Sequence, residues 1–250
     1  MNFRTYRATT YRVLRQLRAD PRTIGLILGV PTILLVLLYY VYGDYPGIPG
    51  VDPAFPGIAL TMLGILPMIA MFLVTSVAMQ RERVTGTLER LWTTPLHRAD
   101  LLLGYASAFA VMALVQSLIL CGVAYFWLGV DSAGSPWILL IAALDSVVGV
   151  AFGLLTSAFA RTEFQAVQFM PVVIGPQIFL CGLFVARDQL PTVLEWWSNI
   201  LPMSYAVDAL HVVDTNSGFS SDLAVDLGVL GGFGLLALAI AAFTMPRRAA

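Results

Sequence analysis

Lysine is absent from the chain, and all fourteen basic residues are arginine. Without an ammonium group, no phosphate loop of the G-x-x-x-x-G-K-[ST] type can hold a nucleotide, and Schiff-base chemistry on lysine is excluded. Cysteine and histidine are almost as scarce. Cys121 and Cys181 both lie inside apolar runs, where a free thiol behaves as a small hydrophobe, so no structural disulfide is expected. His97 and His211 have no Cys or second His at metal-ligand spacing, so no metal site is expected. Charge of either sign is thin. Only 12% of residues are charged and the net charge is -1, which excludes the basic field of a nucleic-acid binder. What remains is apolar: 58% hydrophobic residues and a mean hydropathy of +0.82 place the chain in a bilayer.

A helix needs about 20 apolar residues to cross the hydrocarbon, because an unpaired backbone polar group in lipid costs several kcal/mol. Charge-free runs of that order cover 24–42, 54–79, 101–130, 164–186 and 227–245. A sixth, 136–160, is interrupted only by Asp145. The expectation is an all-α polytopic membrane protein, one transmembrane domain over 1–250 with six spans and no gap roomy enough for a soluble domain. Arginine orients it. Thirteen of the fourteen precede span 1, lie between spans 2 and 3 or 4 and 5, or follow span 6, while the opposite loops are acidic with Arg187 as their only base. Positive charge stays on the cytoplasmic side, so both termini are predicted to be cytoplasmic. The run before span 1 is too arginine-rich, and the stretch after it too bulky and Pro-rich, for a cleaved signal peptide. Span 1 is therefore expected in the mature chain.

Three flanking segments carry patterns of their own. Over 1–22, Arg4, Arg7, Arg15, Arg18 and Arg22 share one arc of a helix, with Phe3, Tyr6, Thr10, Leu14 and Leu17 opposite. Such a helix lies in the membrane interface until Asp20-Pro21 interrupts it, as a headgroup anchor or as a lever that also touches a cytoplasmic partner. Over 80–100, Val84, Leu88, Leu91 and Trp92 continue span 2 as an amphipathic helix. Thr93-Thr94-Pro95 stops it, and Thr94 with Pro95 can start a second short helix from Leu96 to Asp100. The pair reads as a cytoplasmic hairpin, or as a charged loop that merely fixes topology. Over 187–222, the eleven residues from Pro191 to Leu201 reach about 16 Å and cannot cross. They fit a re-entrant helical pair cut at Pro202, with Trp196 and Trp197 at headgroup depth.

Inside the membrane, Pro171, Gly175, Pro176 and Gly182 predict a bent span 5, and Gly64 with Pro67 marks span 2 in the same way. Met62, Met68, Met71 and Phe72 supply soft surface suited to packing or to a promiscuous pocket. Asp145 is the one ionisable residue well inside a span. It is either a neutral, hydrogen-bonded residue holding helices together or a proton relay.

The run RERVTGTLERLWTTPLHRADLLLG, from Arg81 to Gly104, and DQLPTVLEWWSNILPMSYAVDALH, from Asp188 to His211, resemble the two signatures of the type-2 ATP-binding-cassette (ABC) export permeases. The resemblance covers essentially the whole chain. It implies that the first signature couples to a separate cytoplasmic ABC ATPase, with Glu82, Gly86, Glu89, Pro95 and Gly104 matching the family pattern and Leu96 and Arg98 in the same segment. ATP and Mg would bind that partner, leaving this chain no cofactor and no catalytic residue. It further implies a homodimer, or a heterodimer with a second permease, surrounded by membrane lipids of a bacterial inner membrane. Met68, Phe72, Thr75, Phe169 and Gln177 would line the substrate path, and Trp196, Trp197, Pro202 and Tyr205 would form an outer gate. His211 departs from the family's usual Arg. The function so implied is efflux of a drug or lipid-like amphiphile. Rival expectations are a polysaccharide-export permease, a proton-coupled secondary transporter using Asp145, and a membrane scaffold. An intramembrane enzyme finds no support, since no catalytic carboxylate pair, His or Cys dyad or G-x-S-x-G is present.

Overall fold

The charge-free runs become helices because a segment in lipid must satisfy its backbone internally. The structure, a computed structural model, describes residues 3–43, 54–92, 97–130, 135–215 and 219–244. Within them the chain forms α1 (Phe3–Ala19), α2 (Pro21–Gly43), α3 (Ala54–Val84), α4 (Thr87–Trp92), α5 (Arg98–Gly122), α6 (Ser135–Ser157), α7 (Glu163–Val173), α8 (Gly175–Leu180), α9 (Thr192–Ser198), α10 (Pro202–Thr215) and α11 (Ser221–Thr244). A π-helical turn, Val123–Trp127, prolongs α5. The protein is an all-α polytopic membrane protein. Five helices, α2, α3, α5 with its π turn, α6 and α11, are long and apolar enough to cross a membrane.

Burial separates the centre from the rim. In their most apolar stretches α3 and α6 are each 67% buried, against 17% for α2 and 22% for α11. The first two are core; the others present most of their apolar surface outward, as lipid-facing helices do. What brings α3 and α6 so close is Gly149 and Gly153, which share one face of α6 at the small-xxx-small spacing. A Cβ at Gly149 would lie 2.5 Å from the Met68 carbonyl oxygen, and one at Gly153 2.6 Å from that of Phe72. Around this seam one apolar cluster gathers residues of α3, α6, α10 and α11, including Leu63, Ile141, Leu210 and Leu230. A second fills the Arg-rich end with Val13, Leu17, Met79, Leu101, Tyr105 and Phe109.

Three expectations are corrected. The amphipathic continuation of span 2 does not run unbroken through Trp92. Helix α3 ends at Val84, the Gly86 N–H bonds the Arg83 carbonyl at 3.2 Å, and Gly86 takes φ +70° before α4 begins. A left-handed residue of this kind ends a helix, and glycine adopts it without a Cβ penalty. Gly86→Ala is expected to cost about 1 kcal/mol through that penalty alone, read as a lower melting temperature in detergent. Next, no separate helix covers 96–100: Arg98 to Asp100 are the opening turn of α5, preceded by His97 in extended backbone. Pro95 and Leu96 lie outside the described residues. Last, span 5 is bent as expected, but its helix stops at Leu180 rather than Ala186. Pro171 and Pro176 lack the N–H groups that would bond the Val167 and Val172 carbonyls, and α7 passes into α8 through Ile174.

Candidate functional site

The Arg-rich end is built by strapping α1 across α5. Thr5, Thr9, Arg12 and Gln16 recur at i, i+4, i+7 and i+11, one face of a helix. Thr5 donates to an Asp100 carboxylate oxygen at 2.9 Å, and the hydroxyls of Tyr6 and Ser107 meet at 2.8 Å. Thr9 is seated on Gly104, where a Cβ would come within 2.7 Å of its methyl carbon. Arg12 donates to the Tyr105 hydroxyl at 2.5 Å and lies over its ring, 5.5 Å from the centroid. The same guanidinium pairs with Glu82 of α3 at 3.4 Å, and Gln16 donates to that carboxylate at 3.2 Å. Glu82 is thus the point where α1, α3 and α5 are joined, and its side chain is only 13% exposed. Sequence reasoning placed Glu82 in the coupling segment and missed this internal bond.

Two further ties hold the end together. Arg81 donates to both carboxylate oxygens of Glu163 at 3.3 and 3.4 Å, linking α3 to α7. Thr162 caps α7 by accepting the Gln165 N–H at 3.1 Å, while Gln165 accepts the Arg161 N–H at 2.8 Å. Asp20 caps α2: it accepts the Thr23 N–H at 3.2 Å and the Thr23 hydroxyl at 2.7 Å. Those bonds, the hydroxyl's foremost, hold its carboxylate below the ordinary range. The cap is therefore intact at neutral pH and is lost as pH falls through that lowered value. Gly86 forms the turn before α4, which contains Glu89, and Arg98 opens α5.

The opposite end has a knot of its own. Arg187 pairs with Asp208, donates to the Asn199 side chain at 2.5 Å and lies 5.3 Å from the centre of the Tyr205 ring. Tyr205 in turn donates to the Asn199 carbonyl at 2.8 Å. Ser198 donates to the Leu180 carbonyl at 2.9 Å, pinning α9 to the end of α8. Pro202 is buried at the first position of α10, where its missing N–H costs nothing. Trp196 and Trp197 are exposed on α9 beside Val193 and Ile200, an apolar face suited to an interface. In the sequence Arg187 is legible only as a charge, since no local pattern points to its partner Asp208, 21 residues on. Arg187→Ala is expected to cost about 1 kcal/mol or less, because the Asp208 carboxylate and the Asn199 amide are exposed enough for water to replace the guanidinium, measured as thermal unfolding in detergent.

Between these ends the expected path residues do not share an open surface of this chain. Met68, Phe72 and Thr75 are fully buried, with the backbone of Met68 and Phe72 packed on Gly149 and Gly153. Gln177, also buried, donates to the Val173 carbonyl at 2.9 Å and accepts the Met203 N–H at 3.3 Å, so it fastens α8 to α10. Phe169 is half-buried in the packing around α3. Asp145 is fully buried in α6, and neither of its carboxylate oxygens has a hydrogen-bond partner among the described residues. Ser146, beside it, meets Ser117 of α5 at 3.2 Å.

Membrane-length helices around a glycine seam, with an arginine-clad strap at one end and a folded-back helical pair at the other, define a multi-pass membrane protein with two built ends. Among the described residues, no group of three His, Cys, Asp or Glu is placed to hold a metal. The chain belongs to the ABC-2 type transporter family, whose profile matches residues 4–214. It is 32% identical over 141 residues to the protein named "Probable multidrug ABC transporter permease YbhS" of Escherichia coli K12, covering 56% of this chain and 37% of that one. Similarity to the "Probable doxorubicin resistance ABC transporter permease protein DrrC" of Mycobacterium tuberculosis is 24% over 210 residues, 81% of this chain and 74% of that one. With "ABC transporter G family member 20" of Dictyostelium discoideum the identity is 28% over 139 residues, 55% of this chain and 19% of that one. The matched segments thus span well under half of the first and last of these relatives.

Proposed function

We propose that this chain is the membrane permease of an ABC exporter that moves amphipathic, drug-like or lipid-like molecules outward, driven by ATP hydrolysed on separate cytoplasmic subunits. The chain supplies no catalytic group; ATP and Mg belong to the partner. Membership of the ABC-2 family supports this reading, and so do relatives whose names refer to multidrug and doxorubicin resistance. The arginine bias supports a cytoplasmic position for α1, the α3–α4 turn, the start of α5 and both termini, in what we take to be a bacterial inner membrane.

The single observation that carries the mechanism is the Glu82 joint. Because α1, α3 and α5 are tied at one part-buried ion pair, a push on α4 or on the start of α5 would be delivered to the core helix α3. Glu89, Pro95 and Leu96 lie in the segment from Gly86 to Arg98 and are proposed to meet the ATPase. Two copies, or this chain with a second permease, enclose the path between them, with Met68, Phe72, Thr75, Phe169 and Gln177 shaping its wall from behind and Trp196, Trp197, Pro202 and Tyr205 at its outer mouth. The ATPase must bind the two permease states with different affinity, since equal affinity shifts nothing.

Affinity purification in mild detergent tests the reading. A nucleotide-binding chain is expected to co-purify, and efflux from vesicles should stop on ATP depletion. Transport that survives ATP depletion but collapses in Asp145→Asn would replace the reading with proton-coupled transport, for which the buried Asp145, without a hydrogen-bond partner among the described residues, is the relevant observation.

A further inference from the structure

Toward the Arg-rich end, the α3–α6 seam turns from apolar to polar. Thr75, Ser76 and Gln80 of α3 are at most 2% exposed, and Ser76 and Gln80 stand one turn apart on one face of the helix. Gly153 of α6 fixes the register, since its Cβ position lies 3.0 Å from the Thr75 Cβ and 3.1 Å from the Ser76 nitrogen. Thr156 and Ser157, both buried, occupy the next turn of α6. Hydroxyls inside the helices of this chain commonly donate to a carbonyl of the preceding turn: Thr32 to Leu28, Thr61 to Gly57, Thr156 to Phe152 and Ser157 to Leu154, at 2.6 to 3.1 Å. Thr75 and Ser76 depart from that habit. Their hydroxyl oxygens and the Gln80 Oε1 are buried without a hydrogen-bond partner among the described residues. The carbonyl that Ser76 would use by that pattern is that of Phe72, which is packed against Gly153.

A buried polar group left unanswered costs its full desolvation, and three of them within six residues of one helix call for a common partner. The five side chains are uncharged, so an ion entering among them would lose its hydration with no counter-charge to offset the loss. The partner is therefore neutral, both donor and acceptor, and small enough to be enclosed. We infer that Thr75, Ser76 and Gln80 form an internal water site at the inner end of the seam, completed from α6 by the hydroxyls of Thr156 and Ser157, each of which keeps lone pairs free to accept. Exchangeable hydrogen bonds then join α3 to α6 two residues before Glu82, whereas backbone packs on backbone at Gly149. The site belongs to one chain and does not depend on the exporter reading.

The test is X-ray hydroxyl-radical labelling of the full chain in nanodiscs of phosphatidylcholine, without ATP or any ATPase, read by mass spectrometry. Radicals formed from a bound water mark side chains that bulk solvent does not reach. Met79, between Ser76 and Gln80, is the reporter and is fully buried. Met203 is the control: it is equally buried, and the polar groups beside it are answered, its N–H by Gln177 and the Ser204 hydroxyl by Ser198. Met79 should be oxidised several-fold faster than Met203. Ser76→Ala combined with Gln80→Leu should bring Met79 down to the level of Met203, whose own rate stays unchanged. Should that variant expose Met203 as well, Thr75→Val removes one hydroxyl at constant shape and should lower the Met79 rate without raising that of Met203. Met79 as protected as Met203 in the unaltered chain would overturn the inference, and so would equal Met79 labelling in these variants. A Met79 signal that requires sodium or potassium in the buffer would also overturn it, making the occupant an ion. None of these results bears on ATP-driven efflux.

Discussion

Gly149→Ala is expected to destabilise the folded chain by about 1–3 kcal/mol, although it adds a single methyl group. The new carbon would lie 2.5 Å from the Met68 carbonyl oxygen and 3.1 Å from the Met68 Cα, and both neighbours are backbone. No rotamer change can relieve the clash, so α3 and α6 must separate along their whole seam. Gly153→Ala meets the Phe72 carbonyl oxygen at 2.6 Å and should behave alike. Gly231→Ala in α11 supplies the contrast, because nothing lies within 4 Å of its Cβ position. There, removing a glycine from a helix interior should be neutral or should stabilise by up to about 1 kcal/mol. Thermal unfolding in detergent reads all three. Equal effects at Gly149 and Gly231 would show that the seam is not what holds the core.

This seam was present in the sequence as Gly149-x-x-x-Gly153 and passed for part of an apolar run. Hydropathy records how greasy a segment is, whereas helix association in lipid depends on how closely two backbones approach. Spans 1, 2, 3, 4 and 6 were legible because length and lack of charge decide them. Span 5 was legible as a bend, since Pro171 and Pro176 each remove a donor, but its true end was not. A period count does not separate α4 from span 2: Leu88 keeps the spacing of a continuing helix and is buried, yet Gly86 turns the chain ahead of it. Arg187 was legible only as a charge on the acidic side, because its contacts with Asp208 and Asn199 require a fold that brings three segments together. Met68 and Phe72 drew attention by residue type. Their burial depends on glycines more than 75 positions away, which no local pattern records.

The Arg-rich end offers the subtler lesson and the second large effect. Four of the five arginines preceding α2 share one arc, and Arg12 falls outside it, beside Thr5, Thr9 and Gln16. That exception is the arginine that turns inward to Glu82 and Tyr105. If Glu82 acts through this joint, Arg12→Ala and Glu82→Ala should each cut substrate moved per ATP by roughly tenfold, the equivalent of losing one charged hydrogen bond of about 1.5 kcal/mol. The double variant should be no worse than either single one, because two residues that serve one contact are not additive. Hydrogen exchange along α1 should rise in all three variants, a change that does not depend on any partner. If Glu82 instead works by touching the ATPase, Arg12→Ala retains most transport, Glu82→Ala loses it, and the two losses add. The cycle therefore decides whether force enters this chain at Glu82 itself or arrives there through α1, and the 13% exposure of the Glu82 side chain favours the second.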